Sequence, residues 1–477
     1  MPKRRRARKR GGITPKQTKA VCNPMIMTRE KKFYTSFFAL FWPLVLQNII
    51  NLGVNLADNI MLGAYSQPAL SGATAVNQLQ FILQCLTGGV GGGLTVLGSQ
   101  YWGQKRLEPI KKLTSVAFWV SVMFSMLLFG FCAVTPGGMV KLFINTPEVV
   151  TEGVSYLNIL KYSYPIFAIY SALLFSLNCV ETVRIAFWVS VQTLVVNVGL
   201  NIFMIPAYGA AGAAWATLAA RIVSLAIVVL YVALKDKKLQ LKIRDLLTFD
   251  RVLFLDFVKV ALPVIAVSGM WGFSNAIQTS ILGHMPDAEA IVAANSAAQT
   301  LYQLFKSAAQ GAASAAGIIM AKTVGAGDLG KVKEYSRTMQ AMFIIIGLIT
   351  AALLLSTKDL VLSLYTLPES TKELANSLML ILSVCAVGMS YQMPTCTGII
   401  RGGGDTKFCM YNDIVSIWCI VLPVSWLAAY VFKWPPVVVV ACLNADQVFK
   451  CLAISIRCNR YKWVKKLTRD EHKPAAA

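Results

Sequence analysis

The sequence predicts an all-α membrane protein of twelve transmembrane helices in two pseudo-symmetric six-helix lobes, and three observations carry that prediction. Of 477 residues, 56% are hydrophobic and 14% charged, with a mean hydropathy of +0.59, whereas soluble domains carry charge on about a quarter of their residues. Apolar runs long enough to cross a ~30 Å hydrocarbon layer recur along the whole chain and leave no room for a separate soluble domain. β-Barrel strands would be shorter and would alternate in polarity. The basic residues fall in alternate loops: the tail to Lys32, Lys105 to Lys112, Lys235 to Arg251, Lys322 to Arg337, Arg401 with Lys407, and the tail after Arg457. Opposite loops, such as Tyr65 to Gly72 and Pro206 to Gly212, are nearly free of them. The positive-inside rule then places both termini in the cytoplasm, which requires an even number of spans.

In chain order, residues 1–32 form a basic cytoplasmic tail, 33–234 a first six-helix lobe, 235–252 a cytoplasmic linker, 253–456 a second lobe, and 457–477 a second basic tail. The expected spans are 33–57, 70–97, 113–135, 154–178, 185–205 and 212–234, then 253–281, 290–320, 338–356, 374–398, 408–430 and 436–456. The net charge of +23 could suggest nucleic acid. Its confinement to alternate loops and to the KRRRARKR head points instead to solvated tails at a lipid surface, with no nucleic-acid partner. The eleven Cys residues are odd in number and lack a CxxC pair, so neither a disulfide framework nor a zinc site is indicated.

The halves repeat. Pro43, Asp58 and Gly63 reappear as Pro263, Gln278 and Gly283 at a single offset. Gly103, Leu107 and Lys111 reappear as Gly325, Leu329 and Lys333 two residues further on, and Glu181-Thr182 as Asp405-Thr406. An even number of spans per half keeps the orientation of the repeat, so the lobes relate by an axis along the membrane normal, with a path between them.

Asp58 is the leading functional residue. Gln47, Asn51, Asn55 and Asp58 fall within roughly 80° of one another on a helix that also carries Pro43, and a carboxylate in hydrocarbon costs on the order of 3 kcal/mol, so this stripe should face an interior or a cavity. Asn197 and Asn201, one turn apart, and Thr217 in GAAWAT offer it partners. Carboxylate, amide and hydroxyl oxygens suit Na+, and a buried carboxyl can equally exchange a proton. In the repeat Asp58 becomes Gln278, which puts a cation site in the first lobe alone. Gln78, Gln84, Asn275, Gln278, Gln299, Tyr302 and Gln303 are amide and aromatic side chains suited to line a cavity for amphipathic or cationic organic molecules. GGVGGG at 88–93 and the Ala-rich 293–316 suit close helix packing, and RGGGDTKF at 401–408 reads as a turn with a capping Asp405. No catalytic triad, metalloprotease helix or nucleotide loop stands out, so no enzyme is expected.

These residues resemble the multidrug and toxic compound extrusion family of secondary transporters over about 33–467. The likeness rests on Pro43 with Asp58, QYWGQKR at 100–106 with its echo KTVGAG at 322–327, NVGLN at 197–201 before GAAWAT, RGGGDT at 401–406 and RYKW at 460–463. It implies two lobes in a V and export of cationic or amphipathic compounds in exchange for Na+ or H+. By position, the coupling-cation site is Asp58, Asn197, Asn201 and Thr217, a metal site only if Na+ is the ion. Some members of the family have Asp where Asn201 stands. Another branch uses acids in the seventh and tenth helices, and this chain is read as having none inside either span.

The expected protein is thus a multi-pass plasma-membrane antiporter and a monomer. It works on a small organic cation and needs no cofactor beyond its coupling ion. A related flippase or narrow-range exporter and a non-transporting scaffold or receptor are the alternatives. The first would favour a basic cavity, whereas Lys161, Arg221 and Lys306 are isolated.

Overall fold

The computed structural model describes residues 27–363 and 368–469; the KRRRARKR head lies outside them. The first half comprises α1 (Lys31–Tyr65), α2 (Gln67–Gly103), α3 (Leu107–Val134), the short α4 (Pro136–Lys141), α5 (Pro147–Leu160), α6 (Ser163–Cys179) and α7 (Arg184–Leu234). The second comprises α8 (Arg251–Gly283), α9 (Ala288–Ala326), α10 (Leu329–Ser363), α11 (Glu369–Met393), α12 (Thr406–Asp413), α13 (Leu422–Trp426), α14 (Pro436–Asn444) and α15 (Asp446–Asn459). Among the described residues nine helices are each long and apolar enough to cross a membrane, and the pair α5 and α6, bent by 50°, makes a tenth span. α7 is two crossings. Its 51 residues would reach roughly 77 Å if straight, and Gly209, at φ 57° and ψ −133°, turns the chain back. Cross-hairpin bonds such as Thr193 to Ser224 and Asn197 to Thr217 show the two legs running antiparallel. The 39-residue α9, diluted by alanines and amides, completes twelve.

The expected loop at Pro206 to Gly212 is therefore a tight reversal between two helices, with Gly209 as its non-helical residue. In the second half, helix around the prolines loosens into π-helical turns at Pro394–Ile400, Ile414–Val421 and Leu427–Val431, as happens where a missing N–H or a local insertion disturbs the ladder. The linker is not free: Leu239 and Leu241 are buried in the first-half core, and Lys111 and Lys112 pair with Asp245 and Asp250 at 3.2 Å.

α1 and α8 are shared between the lobes. The first half of α1 (Phe33, Phe37, Leu40, Phe41, Val45) packs in a core with Ile319, Met320, Phe343 and Ile399 of the second half, while its far end reaches α7. Its repeat mate does the converse: Phe257, Val260 and Ala261 of α8 lie in the first-half core, and Ile281 and Leu282 in the second. GGVGGG permits the α8 approach. A Cβ at Gly89 or Gly93 would lie 2.6 Å from Ile265 or Ala261. Next to the axis, α2 meets α9 so closely that a Cβ at Gly103 would overlap the Lys322 carbonyl oxygen, and one at Gly325 that of Gln100. The repeat offset maps each of these contacts onto the other.

At this basic end further bonds join the halves. Glu181 pairs with Lys322 at 2.7 Å. Residues 460–469 run back across the first half as a strap: Gln100 donates to the Lys465 carbonyl (3.2 Å) and accepts from Leu467 N–H (2.9 Å), and Arg469 N–H donates to Tyr101 Oη (3.2 Å). Trp463, fully buried, anchors the strap. Towards the other end Leu56, Ile60 and Phe273 are exposed, as lipid-facing side chains of a membrane helix are. Asp405 precedes α12 but makes no cap bond. The expected cap is overturned because its buried carboxylate is taken by Arg457 and Lys465. Burial alone would raise the Asp405 pKa, but Lys465 and Arg457 outweigh it and hold the carboxyl below its ordinary 3.8.

Two outcomes are expected. Gly325→Ala, whose methyl meets backbone, should cost about 1–3 kcal/mol and lower the melting temperature in detergent, whereas Gly283→Ala, which has open space, should not. Asp405 contributes stability above its ordinary carboxyl pKa and loses it as pH falls through the depressed folded value. Asp405→Asn should therefore melt lower than wild type near neutrality, and the two curves should converge in acid.

Candidate functional site

The far half of α1 lies along the α7 hairpin. There the Asn201 amide donates to Asp58 Oδ1 (2.6 Å) and to Asn197 Oδ1 (3.2 Å), and the Asn197 amide donates to Thr217 Oγ1 (3.1 Å). The four residues form one chain of bonds, with both asparagines at 1% exposure or less. The spacing of the asparagines puts them on one face, and the turn at Gly209 brings Thr217 opposite. Asn201 Oδ1 is buried and accepts no hydrogen bond. A buried, unsatisfied carbonyl beside a carboxylate is an arrangement that a hard cation, bound through oxygens, would complete. Among the described residues no three His, Cys, Asp or Glu side chains come together as a possible metal site.

Two residues near this cluster were not assigned to it from the sequence, where Arg221 was read as isolated. Arg221, one turn beyond Thr217, is 5% exposed, donates to Ser163 (2.9 Å) and sits over the Phe167 ring at 5.1 Å. Tyr156 donates to Asn77 Oδ1 at 3.5 Å. Arg221 could have been found as an arginine in register with Thr217 in an apolar helix; Tyr156 carries no such signal.

Between the lobes lies a cavity of about 800 Å³. Gln84, Asn275, Gln278, Gln299, Tyr302 and Gln303 line it, and so does Gln47. Gln78 does not: it is exposed on α2. Asn51 and Asn55 are exposed and absent from the cavity wall, so the α1 stripe divides. Gln47 faces the central space, Asp58 faces the first-lobe interior about 16 Å along the helix, and the two asparagines between face neither. Pro43 sits within unbroken helix, near the point where Val45 meets Gly311.

Asp446 pairs with Lys450 at 3.0 Å, as its spacing predicts, and the same ammonium takes Asp413 at 2.9 Å. The seventh span does contain an acid: Asp256, near the start of α8, is bonded to Arg469 at 2.9 Å. The absence read there is corrected, although this acid sits at the basic end and on the strap. His284, at the far end of α8, is exposed and contacts the Ser280 carbonyl at 2.8 Å.

Removing the last acceptor of the Asp58 chain tests its integrity. Thr217→Val should leave the Asn197 amide unpaired at a cost of about 1–3 kcal/mol, read as a lower melting temperature that Thr217→Ser restores.

Comparison with known proteins fits this geometry. A model of the MatE family matches residues 43–203 and 263–427, once in each half, from Pro43 and from its mate Pro263. A probable multidrug resistance protein NorM of Xylella fastidiosa (strain Temecula1 / ATCC 700964) is 23% identical over 401 residues, covering 82% of this chain and 84% of that protein. A probable multidrug resistance protein YoeA of Bacillus subtilis is 21% identical over 422 residues, covering 86% and 90%. A crystal structure of MATE in complex with MaD3S superposes with a TM-score of 0.82 at 16% identity, over 91% of this chain and 99% of that one. An outward-facing multidrug resistance MATE transporter of the MOP superfamily gives 0.78 at 18%, over 91% and 97%. With the model matched in both halves and over more than half of the chain, this protein belongs to the MatE family of membrane transporters, which are not enzymes.

Proposed function

We propose that this chain is a cation-coupled antiporter of the plasma membrane, carrying H+ or Na+ at Asp58 and exporting amphipathic organic compounds by alternating access. The observation that carries this reading is the Asn201 carbonyl, buried without a donor beside the one carboxylate of the first-lobe cluster. Asp58, Asn197, Asn201 and Thr217 would supply oxygens to Na+, or Asp58 alone would take a proton. Either ion biases the two conformations by no more than its difference in affinity between them. Drug-sized amphiphiles suit a cavity of about 800 Å³ walled by amides and aromatics, and "multidrug resistance" in the names of the relatives is consistent with that. With both termini in the cytoplasm, the strapped end faces inward and the opposite end outward. The unit is taken to be a monomer with no organic cofactor.

The test is dye efflux from proteoliposomes, with ethidium and fluorescein in parallel, under an imposed pH or Na+ gradient. Efflux of at least one dye should follow one gradient and be lost in Asp58→Asn. Efflux that ignores both gradients, or that survives the substitution with its gradient dependence intact, would overturn the proposal.

A further inference from the structure

The central cavity has a charge pattern of its own. Its wall carries Lys306, Arg401 and Lys450 against Asp413 and Asp446. Lys450 pairs with both carboxylates, at 2.9 and 3.0 Å, which leaves that trio one negative charge in excess, against the two positive charges of Lys306 and Arg401 on the same wall. Arg401 donates through Nε to the Thr397 carbonyl at 3.1 Å. Lys306 forms no ion pair among the described residues. Its ammonium lies over the Trp271 ring at 4.6 Å from the centroid, and Phe81 stands 5.9 Å further along from Trp271.

The placement of Lys306 is specific. Gln299, Gln303, Lys306 and Gln310 succeed one another at helical spacing on α9 and all line the cavity, so one stripe offers amide donors above and below an ammonium. The offset that carries Gly103 to Gly325 carries Gln84 to Lys306, and both members of that pair reach the cavity. Where the first lobe presents an amide at the cavity wall, the second presents the Lys306 side-chain amine. A cation on an aromatic face, flanked by hydrogen-bond donors and with no carboxylate in direct contact, Asp446 acting on it only through space, attracts an anion to a wall whose formal charge is net positive.

We propose that the cavity binds an organic anion: a carboxylate- or sulfonate-bearing aromatic amphiphile whose charge docks on Lys306 and whose ring lies against Trp271 and Phe81. This rests on the reading of the central cavity as the transport site, and it replaces the organic cation expected from the sequence with the opposite charge.

The test is equilibrium binding to the purified full-length protein in detergent, followed by fluorescence polarisation, with two dyes of one tricyclic skeleton. Fluorescein is an anion near neutral pH, and tetramethylrhodamine ethyl ester is a cation. Wild type should bind fluorescein more tightly than the rhodamine ester. Lys306→Gln should weaken fluorescein by about tenfold or more, the worth of a charge-assisted hydrogen bond, without weakening the ester, and Lys306→Arg should retain fluorescein. Tighter binding of the ester by wild type, an unchanged fluorescein affinity in Lys306→Gln, or no fluorescein binding at all would overturn the proposal. Because no gradient is applied, a failure of coupling at Asp58 does not affect this result, and a failure here leaves the Asp58 test standing.

Discussion

The structure depends on two helices that each belong to both lobes. α1 starts in the second-half core and ends against α7, and α8 does the reverse. A chain that simply packed six helices and then six more would have two separate cores and a flat seam. Here each lobe is completed by a half-helix of the other, so that α1 and α8 cross the seam and tie the two cores together. Those crossings carry the repeated prolines, Pro43 and Pro263, and close packing, Val45 on Gly311 and Gly93 on Ala261. Small side chains there are a geometric requirement: backbones that approach to van der Waals distance leave no volume for a branched residue.

The same arrangement separates two chemistries along one helix. Gln47 faces the central cavity and Asp58 the interior of the first lobe, so the carboxylate is not part of the cavity wall and the two are joined only through α1. In hydrocarbon, polar side chains persist where they find partners, and the Asp58–Asn201–Asn197–Thr217 chain and the Asp413–Lys450–Asp446 trio are two such enclosures. Lys306 is outside both. Its aromatic partner leaves its charge available to whatever enters the cavity.

Much of this was legible in the sequence, because membrane chains write their topology in hydrophobicity and in the placement of Lys and Arg. The offset linking Pro43 to Pro263 and Gly103 to Gly325 predicted the two-fold relation, and the spacing of Asn197 and Asn201, followed by Thr217, led to the cluster around Asp58. What was not legible came from contacts between distant segments. Periodicity placed Asn51 and Asn55 in the stripe with Asp58 but could not say which faces α1 buries as it passes from one lobe to the other. The RGGGDT turn suggested a cap at Asp405, and only the fold brings Arg457 and Lys465 to it. Asp256 lies inside the expected span 253–281 and was legible there; only its pairing with Arg469, at the opposite end of the chain, needed the fold. Lys306 looked isolated in sequence, and its meaning appears only with the cavity around it.

The strap has one more consequence. Residues 460–469 follow every membrane span in the chain, yet they are what ties Gln100 and Tyr101 of α2 to the second half. During synthesis this segment is made long after the α2 residues it bonds to, and the twelfth span directly before it is still within the ribosome when it forms. The first half therefore enters the bilayer before its strap exists, and the strap's bonds to Gln100 and Tyr101 can close only after the last span has emerged.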